Sequence, residues 1–200
     1  VFSLINQAFA HPITFVGGTA VTSTFRPSQS SLRVSYTLLP RVAVGLTYQR
    51  FVLLDRDLET IFPQINVLIN RWNATDSQAN LYVMGGVGYA DTSRNQDGVY
   101  YYSALQADWE NRRIYTAAML SYSKAPDLNP YSVQYRLGVA PYEAKFDELQ
   151  IWLIGQIDYA PKIHHNVQVT PLFRFFYRNV LWEVGSTFTG EWYLQLMSHF

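Results

Sequence analysis

Four histidines, His11, His164, His165 and His199, are the side chains of this 200-residue chain whose ordinary acid–base chemistry lies near neutral pH. A serine hydrolase needs such a base within hydrogen-bond reach of its nucleophile, with a third group to orient it. The sequence contains no G-x-S-x-G turn, and His164-His165 has no serine or acid close by in sequence. As a metal site the same pair lacks a third ligand at sensible spacing. Asp91 to Gly98 resembles a calcium loop but lacks its closing glutamate. Asp55, Asp57 and Glu59 could form a carboxylate site, but more simply make a solvated loop. The absence of cysteine removes thiolate nucleophiles, thiolate zinc sites and disulfides. No catalytic, cofactor-binding or metal-ligating residue is therefore expected, and a hydrolase is a distant third reading.

Composition narrows the classes further. Fifteen basic and fifteen acidic residues give a net charge of +0, without the basic footprint of a nucleic-acid binder. Charged residues make up 15% of the chain, against about 25% in an ordinary soluble domain. The 16% aromatic content excludes disorder. The longest run without Asp, Glu, Lys or Arg, Val1 to Phe25, is broken by Asn6, Gln7, Pro12 and Gly17-Gly18, so it does not read as a membrane helix. Ala8-Phe9-Ala10 has the form of a signal-cleavage site. Residues 1–11 are nevertheless expected to be a retained segment, serving as a plug or a partner contact, with the barrel proper over 12–200.

What must position any site is the strand. Apolar and polar residues alternate in Leu32-Val34-Tyr36-Leu38, Val42-Val44-Leu46-Tyr48, Val133-Tyr135-Leu137-Val139 and Trp192-Leu194-Leu196. Turn signals cut the chain into about twelve such runs of the length a tilted membrane strand needs. They fall near 12–25, 31–39, 42–53, 64–72, 80–90, 99–110, 113–124, 131–142, 148–160, 166–177, 180–187 and 191–200. Short turns and somewhat longer loops alternate between them. So much strand is normal for a closed sheet, which also removes exposed edges. The expected fold is all-β, a closed antiparallel transmembrane barrel of about twelve strands with short outer loops. Pro141 and Pro171 fall in or near strands, where bulges or shifted strand ends would have to accommodate them.

A soluble barrel with an apolar interior would need more surface charge than this chain has. The apolar face is therefore assigned to lipid. Aromatic girdles are then expected from Tyr36, Tyr48, Trp72, Tyr82, Tyr89, Trp109, Tyr122, Tyr135, Trp152, Tyr159, Tyr177, Trp182 and Trp192. The opposite parity gives the lumen Arg33, Gln106, Asp108, Arg136, Gln150, Gln156, Asp158, Arg174, Glu183, Glu191 and His199. These could filter solutes as rings of charge, or pair across a narrow lumen and fill it. Twelve strands lie between barrels filled by side chains and those that leave a channel. Arg174 and Arg178 on one face beside Glu183 make the most plausible structural pairing.

The segment Trp192-Tyr193-Leu194-Gln195-Leu196-Met197-Ser198-His199-Phe200 resembles the C-terminal targeting strand of bacterial outer-membrane barrels, with Trp192, Leu194, Leu196 and Phe200 as the insertion signal. Ser198 departs from that pattern. The resemblance implies a Gram-negative outer membrane, insertion by the barrel-assembly machinery, and lipid and lipopolysaccharide as surroundings. An even strand number places both termini on one side, expected to be periplasmic. Two functions follow: a narrow porin-like channel for ions or small solutes, or a largely closed barrel anchoring an envelope complex.

Overall fold

The computed structural model describes residues 11–54, 56–93, 97–126, 128–145 and 147–200. Among them twelve strands run in sequence: β1 (Thr19–Phe25), β2 (Gln29–Leu39), β3 (Val42–Val52), β4 (Asp57–Asn73), β5 (Ser77–Thr92) and β6 (Gly98–Asn111). They continue as β7 (Ile114–Lys124), β8 (Tyr131–Val139), β9 (Gln150–Tyr159), β10 (Gln168–Tyr177), β11 (Val180–Ser186) and β12 (Trp192–His199). Each pairs antiparallel with its sequence neighbours, and β12 returns to β1 with Ala20 opposite His199 and Phe25 opposite Leu194. The expected closed twelve-stranded barrel is the fold, and closure leaves no strand edge unpaired.

Alternation gives the barrel two unlike surfaces. Leu32, Val34, Leu46, Ile65, Leu105 and Leu153 belong to an exposed apolar exterior that continues around every strand. That is the band a transmembrane barrel presents to lipid. Most of the expected girdle aromatics are exposed on it. Tyr82 and Trp152 are not: they share inward parity with Asn80 and Met84, and with Ile154 and Gln156, and are buried. Trp182 is half-buried and stacks on Phe175 with ring centroids 5.6 Å apart.

Residues 11–18 correct the first predicted strand, which begins at Thr19 instead of 12. Gly17, with φ +83°, turns the chain, and the preceding residues enter the barrel interior. There Ile13 packs with Ala43, Leu68 and Tyr82, Asn66 Nδ2 donates to Pro12 O at 3.2 Å, and Thr14 N donates to Thr37 Oγ1 at 3.0 Å. They occupy the end of the barrel where β1 starts and β12 finishes, here called the terminal end.

β4 also starts earlier than its sequence suggests, at Asp57 and not near 64. Asp57 and Glu59 are strand residues facing outward beside Arg50, which corrects their placement in a solvated loop; Asp55 lies outside the described residues. Pro63 sits inside this strand, where the β4–β5 ladder is interrupted between Ile61 and Gln64 while its register holds. Pro171 lies in β10 opposite Gly155, and the β10–β11 ladder begins only at Leu172. Pro141 follows the end of β8. The terminal-end connection 140–149 is longer than the interval between the predicted strands 131–142 and 148–160, because β8 ends earlier and β9 begins later than expected. Gly45 is required by close approach: a Cβ there would stand 2.3 Å from Val34 O on β2.

Candidate functional site

The interior divides into three chemical regions. On the β3–β7 side, toward the end opposite the termini (the loop end), Leu58, Phe62, Met84, Tyr100 and Tyr102 form an apolar cluster. Phe62 touches both tyrosine rings, with centroids 5.1 and 5.2 Å away. The β8–β12 side is instead a ladder of guanidiniums and phenols.

Glu183 on β11 is the centre of that ladder and is fully buried. Its Oε1 accepts from Arg174 Nε at 2.6 Å, and Arg136 Nη1 reaches both carboxylate oxygens at 3.2 and 3.1 Å. Arg174 is its register partner on the adjacent strand, whereas Arg136 comes from β8, three strands away around the ring. The Tyr193 hydroxyl accepts from Arg136 Nη2 at 2.9 Å and shares its single proton between Glu183 Oε2 at 3.1 Å and Gln195 Oε1 at 2.7 Å. Arg26 lies over the Tyr193 ring at 4.5 Å, and Arg174 over Tyr115 at 4.6 Å. Arg26 Nη1 also pairs with Asp158 Oδ2 at 3.1 Å, and Gln134 Nε2 donates to the other Asp158 oxygen at 2.8 Å. Such stacking and pairing let charges stay buried in a wall that would otherwise reject them. Arg178, expected beside Arg174, instead occupies the 178–179 turn with φ 54° and lies over Tyr177.

The third region is acidic and holds the entering segment. His11 Nδ1 stands 3.5 Å from Asp108 Oδ2 and His11 Nε2 3.5 Å from Glu110 Oε1. Asn80 Nδ2 donates to Asp108 Oδ1 at 2.8 Å and Gln106 Nε2 to Oδ2 at 3.3 Å. Burial pulls the His11 imidazole down, but the Asp108 and Glu110 carboxylates more than offset it. His11 is pushed up to about 9 and is positively charged at neutral pH.

Between the ladder and this segment lies a cavity of about 100 Å³, bounded by Arg33, Arg136, Gln106, Gln134, Gln195 and, on the terminal side, His11 and Pro12. The remaining sequence-derived candidates lie around it or at the rims. Gln156 is buried and, with Arg26 and Gln134, reaches Asp158; Gln150 is half-buried near the start of β9. Glu191 lies in the loop-end connection 187–191, where Ser28 Oγ donates to it at 3.3 Å and His164 Nε2 is 3.8 Å away. Glu191 thus stands between serine and histidine, the wrong order for a hydrolytic relay. His199 is half-buried, opposite Ala20, and its Nε2 makes no hydrogen bond among the described residues. No group of three metal-ligating side chains occurs among the described residues.

Several interior residues escaped the sequence reading. Glu110 follows Gln106 and Asp108 in the same parity, as Gln134 precedes Arg136 and Gln195 precedes His199, so alternation could have supplied all three. Arg26 and His11 could not be found that way, because both lie outside strands.

No family model matches the sequence, and no curated protein matches it. Among solved structures the chain is similar to the KdgM porin, with a TM-score of 0.51 at 8% identity over 92% of this chain and 98% of that one. The same values hold for the KdgM porin in complex with disordered oligogalacturonate. The NanC porin in a rhombohedral crystal form gives a TM-score of 0.48 at 8% identity, over 90% and 98% of the two chains. The likeness to KdgM is one of fold.

Proposed function

We propose that this protein is an outer-membrane channel for ions or small solutes, narrowed from the terminal side by residues 11–14. The observation that carries the reading is the charged interior enclosing a cavity of about 100 Å³ within a closed, apolar-coated barrel. A barrel serving only to hold a place in the membrane has no need of buried charges, which cost stability unless paired. The KdgM likeness supports the same reading, as does the insertion-like strand ending at Phe200. Under it the barrel is assembled by outer-membrane machinery among lipid and lipopolysaccharide, with both termini periplasmic and no catalytic role.

A second reading, the closed anchor of an envelope complex, is favoured by one observation: residues 11–14 are packed into the interior. Planar-bilayer conductance of the wild type and of Ile13→Asp separates the two. The substitution drives a charge into the apolar contact with Ala43, Leu68 and Tyr82 and releases the segment. Steady wild-type conductance, or conductance only in Ile13→Asp, supports a channel that the segment restricts. Silence from both, in protein shown to be folded and inserted, overturns the channel and leaves the anchor.

A further inference from the structure

The interior cavity is lined by positive groups without a lining carboxylate. Arg33 on β2 and Arg136 on β8 face it from opposite walls, and His11 forms part of its floor. Of the acids nearby, Glu110 stands 3.5 Å from His11 Nε2 through Oε1 and keeps Oε2 unpartnered among the described residues, and the others are held. Glu183 binds Arg136, Arg174 and Tyr193; Asp158 binds Arg26 and Gln134; Asp108 binds Asn80 and Gln106 beside His11. Arg33 makes no ion pair or hydrogen bond among the described residues, and its Nε is buried. The Nε of Arg136 is also buried and unpartnered, although its two terminal nitrogens are engaged.

Guanidinium groups cannot shed their charge by deprotonation, so the half-buried Arg33, which has no acidic partner among the described residues, favours an anion beside it. The surroundings suit an oxyanion better than chloride. Guanidinium is a planar fork that matches two oxygens of one group. Gln106, Gln134 and Gln195 add amides around the rim, and the Gln195 nitrogen makes no hydrogen bond among the described residues. A cavity of about 100 Å³ takes a group of a few heavy atoms together with nearby water.

We propose that this cavity is a binding subsite for a small oxyanion, a carboxylate or a phosphate group, held between Arg33 and Arg136. Its role in selecting permeating solutes rests on the channel reading; its capacity to bind does not. The position on the loop-end side of His11 and Pro12 means that an anion entering from the loops meets the two arginines before it meets the segment. Arg33 is the residue to test, because removing it breaks no ion pair, whereas removing Arg136 would also uncover Glu183.

The experiment uses the whole detergent-solubilised barrel, unfolded by heat in phosphate, acetate or chloride at matched ionic strength. A ligand that binds only the folded state raises the midpoint with concentration. Phosphate or acetate is expected to raise it above chloride. Arg33→Gln is expected to need about tenfold more oxyanion for the same shift, and Arg33→Lys to fall between. In bilayers under a KCl gradient, the wild type should prefer anions and Arg33→Gln should do so less. Equal oxyanion shifts in wild type and Arg33→Gln, or none in the wild type, overturn the subsite. A silent bilayer with an Arg33-dependent shift overturns the channel and retains the subsite. Conductance with no oxyanion shift retains the channel and overturns the subsite.

Discussion

Replacing Glu183 by alanine should be the most damaging single change to the barrel's polar interior. The carboxylate is fully buried and receives Arg174 Nε at 2.6 Å and Arg136 Nη1 at about 3 Å, with Tyr193 beside it. Charge-assisted hydrogen bonds contribute about 1.5–3 kcal/mol each. Their full sum overstates the loss, because Tyr193 keeps Gln195 and Arg174 keeps the Tyr115 face. The dominant cost is two guanidiniums left without their shared counter-charge, and breaking a buried pair in this way costs about 3–5 kcal/mol. For a chain of this length that corresponds to a melting midpoint lower by roughly 6–20 °C. Glu183→Gln, which keeps the volume and one acceptor oxygen, should cost less. The exposed pair Arg50–Asp57, with side chains 48% and 40% accessible, is the control: solvent screens it, so Asp57→Asn should leave the midpoint nearly unchanged. The assay is thermal and denaturant unfolding in one detergent, followed by loss of strand signal. A Glu183→Ala midpoint within a degree or two of the Asp57→Asn midpoint would refute the assignment of Glu183 as the interior counter-charge.

Two further changes probe the exterior and the sheet. Leu105, near the middle of β6 and facing outward, should tolerate arginine poorly in a bilayer, at about 2–4 kcal/mol, whereas Val99 near the strand end should lose about 1 kcal/mol or less; equal costs in reversible unfolding from vesicles would contradict the lipid-facing band. Gly45→Ala forces a Cβ against the Val34 carbonyl and should destabilise by about 1–3 kcal/mol, while Gly85→Ala, where the nearest atom is 3.7 Å away, should be close to neutral in the same unfolding assay.

Most strands could be read from alternation alone, since one face of each meets lipid and the other the interior. That signal fails where another force shapes the segment. Asp55, Arg56, Asp57, Glu59 and Pro63 look like a loop, yet Asp57 and Glu59 are carried on the outward face of a strand that extends past the apolar band. Residues 12–25 have no Asp, Glu, Lys or Arg and read as continuous strand until Gly17 turns their first part inward. Tyr82 and Trp152 are aromatics used as interior filling, and residue type cannot distinguish that use from a girdle. Within the site, Arg174–Glu183 was foreseeable from neighbouring strands. The reach of Arg136 to Glu183 was not, because a contact through the interior between strands three apart depends on the barrel's curvature and on what else fills it. His11 met Asp108 and Glu110 for the same reason.

The pairing of β1 with β12 sets the order in which the molecule can be made. Ala20 finds His199 only after nearly the whole chain has emerged, and β1 has one hydrogen-bonding partner, β2, until then. Eleven of the twelve neighbour contacts are local hairpins; the twelfth joins opposite ends of the chain and carries the loop-closure entropy of the entire fold. Hairpins can form early and independently, but the ring completes in a single late event. Until that event two strand edges stand open, on the first and twelfth strands, and each can pair with the edge of another chain. The interval between release of β12 and its capture by β1 is therefore when this protein is most exposed to aggregation, and when an assisting factor would have most effect.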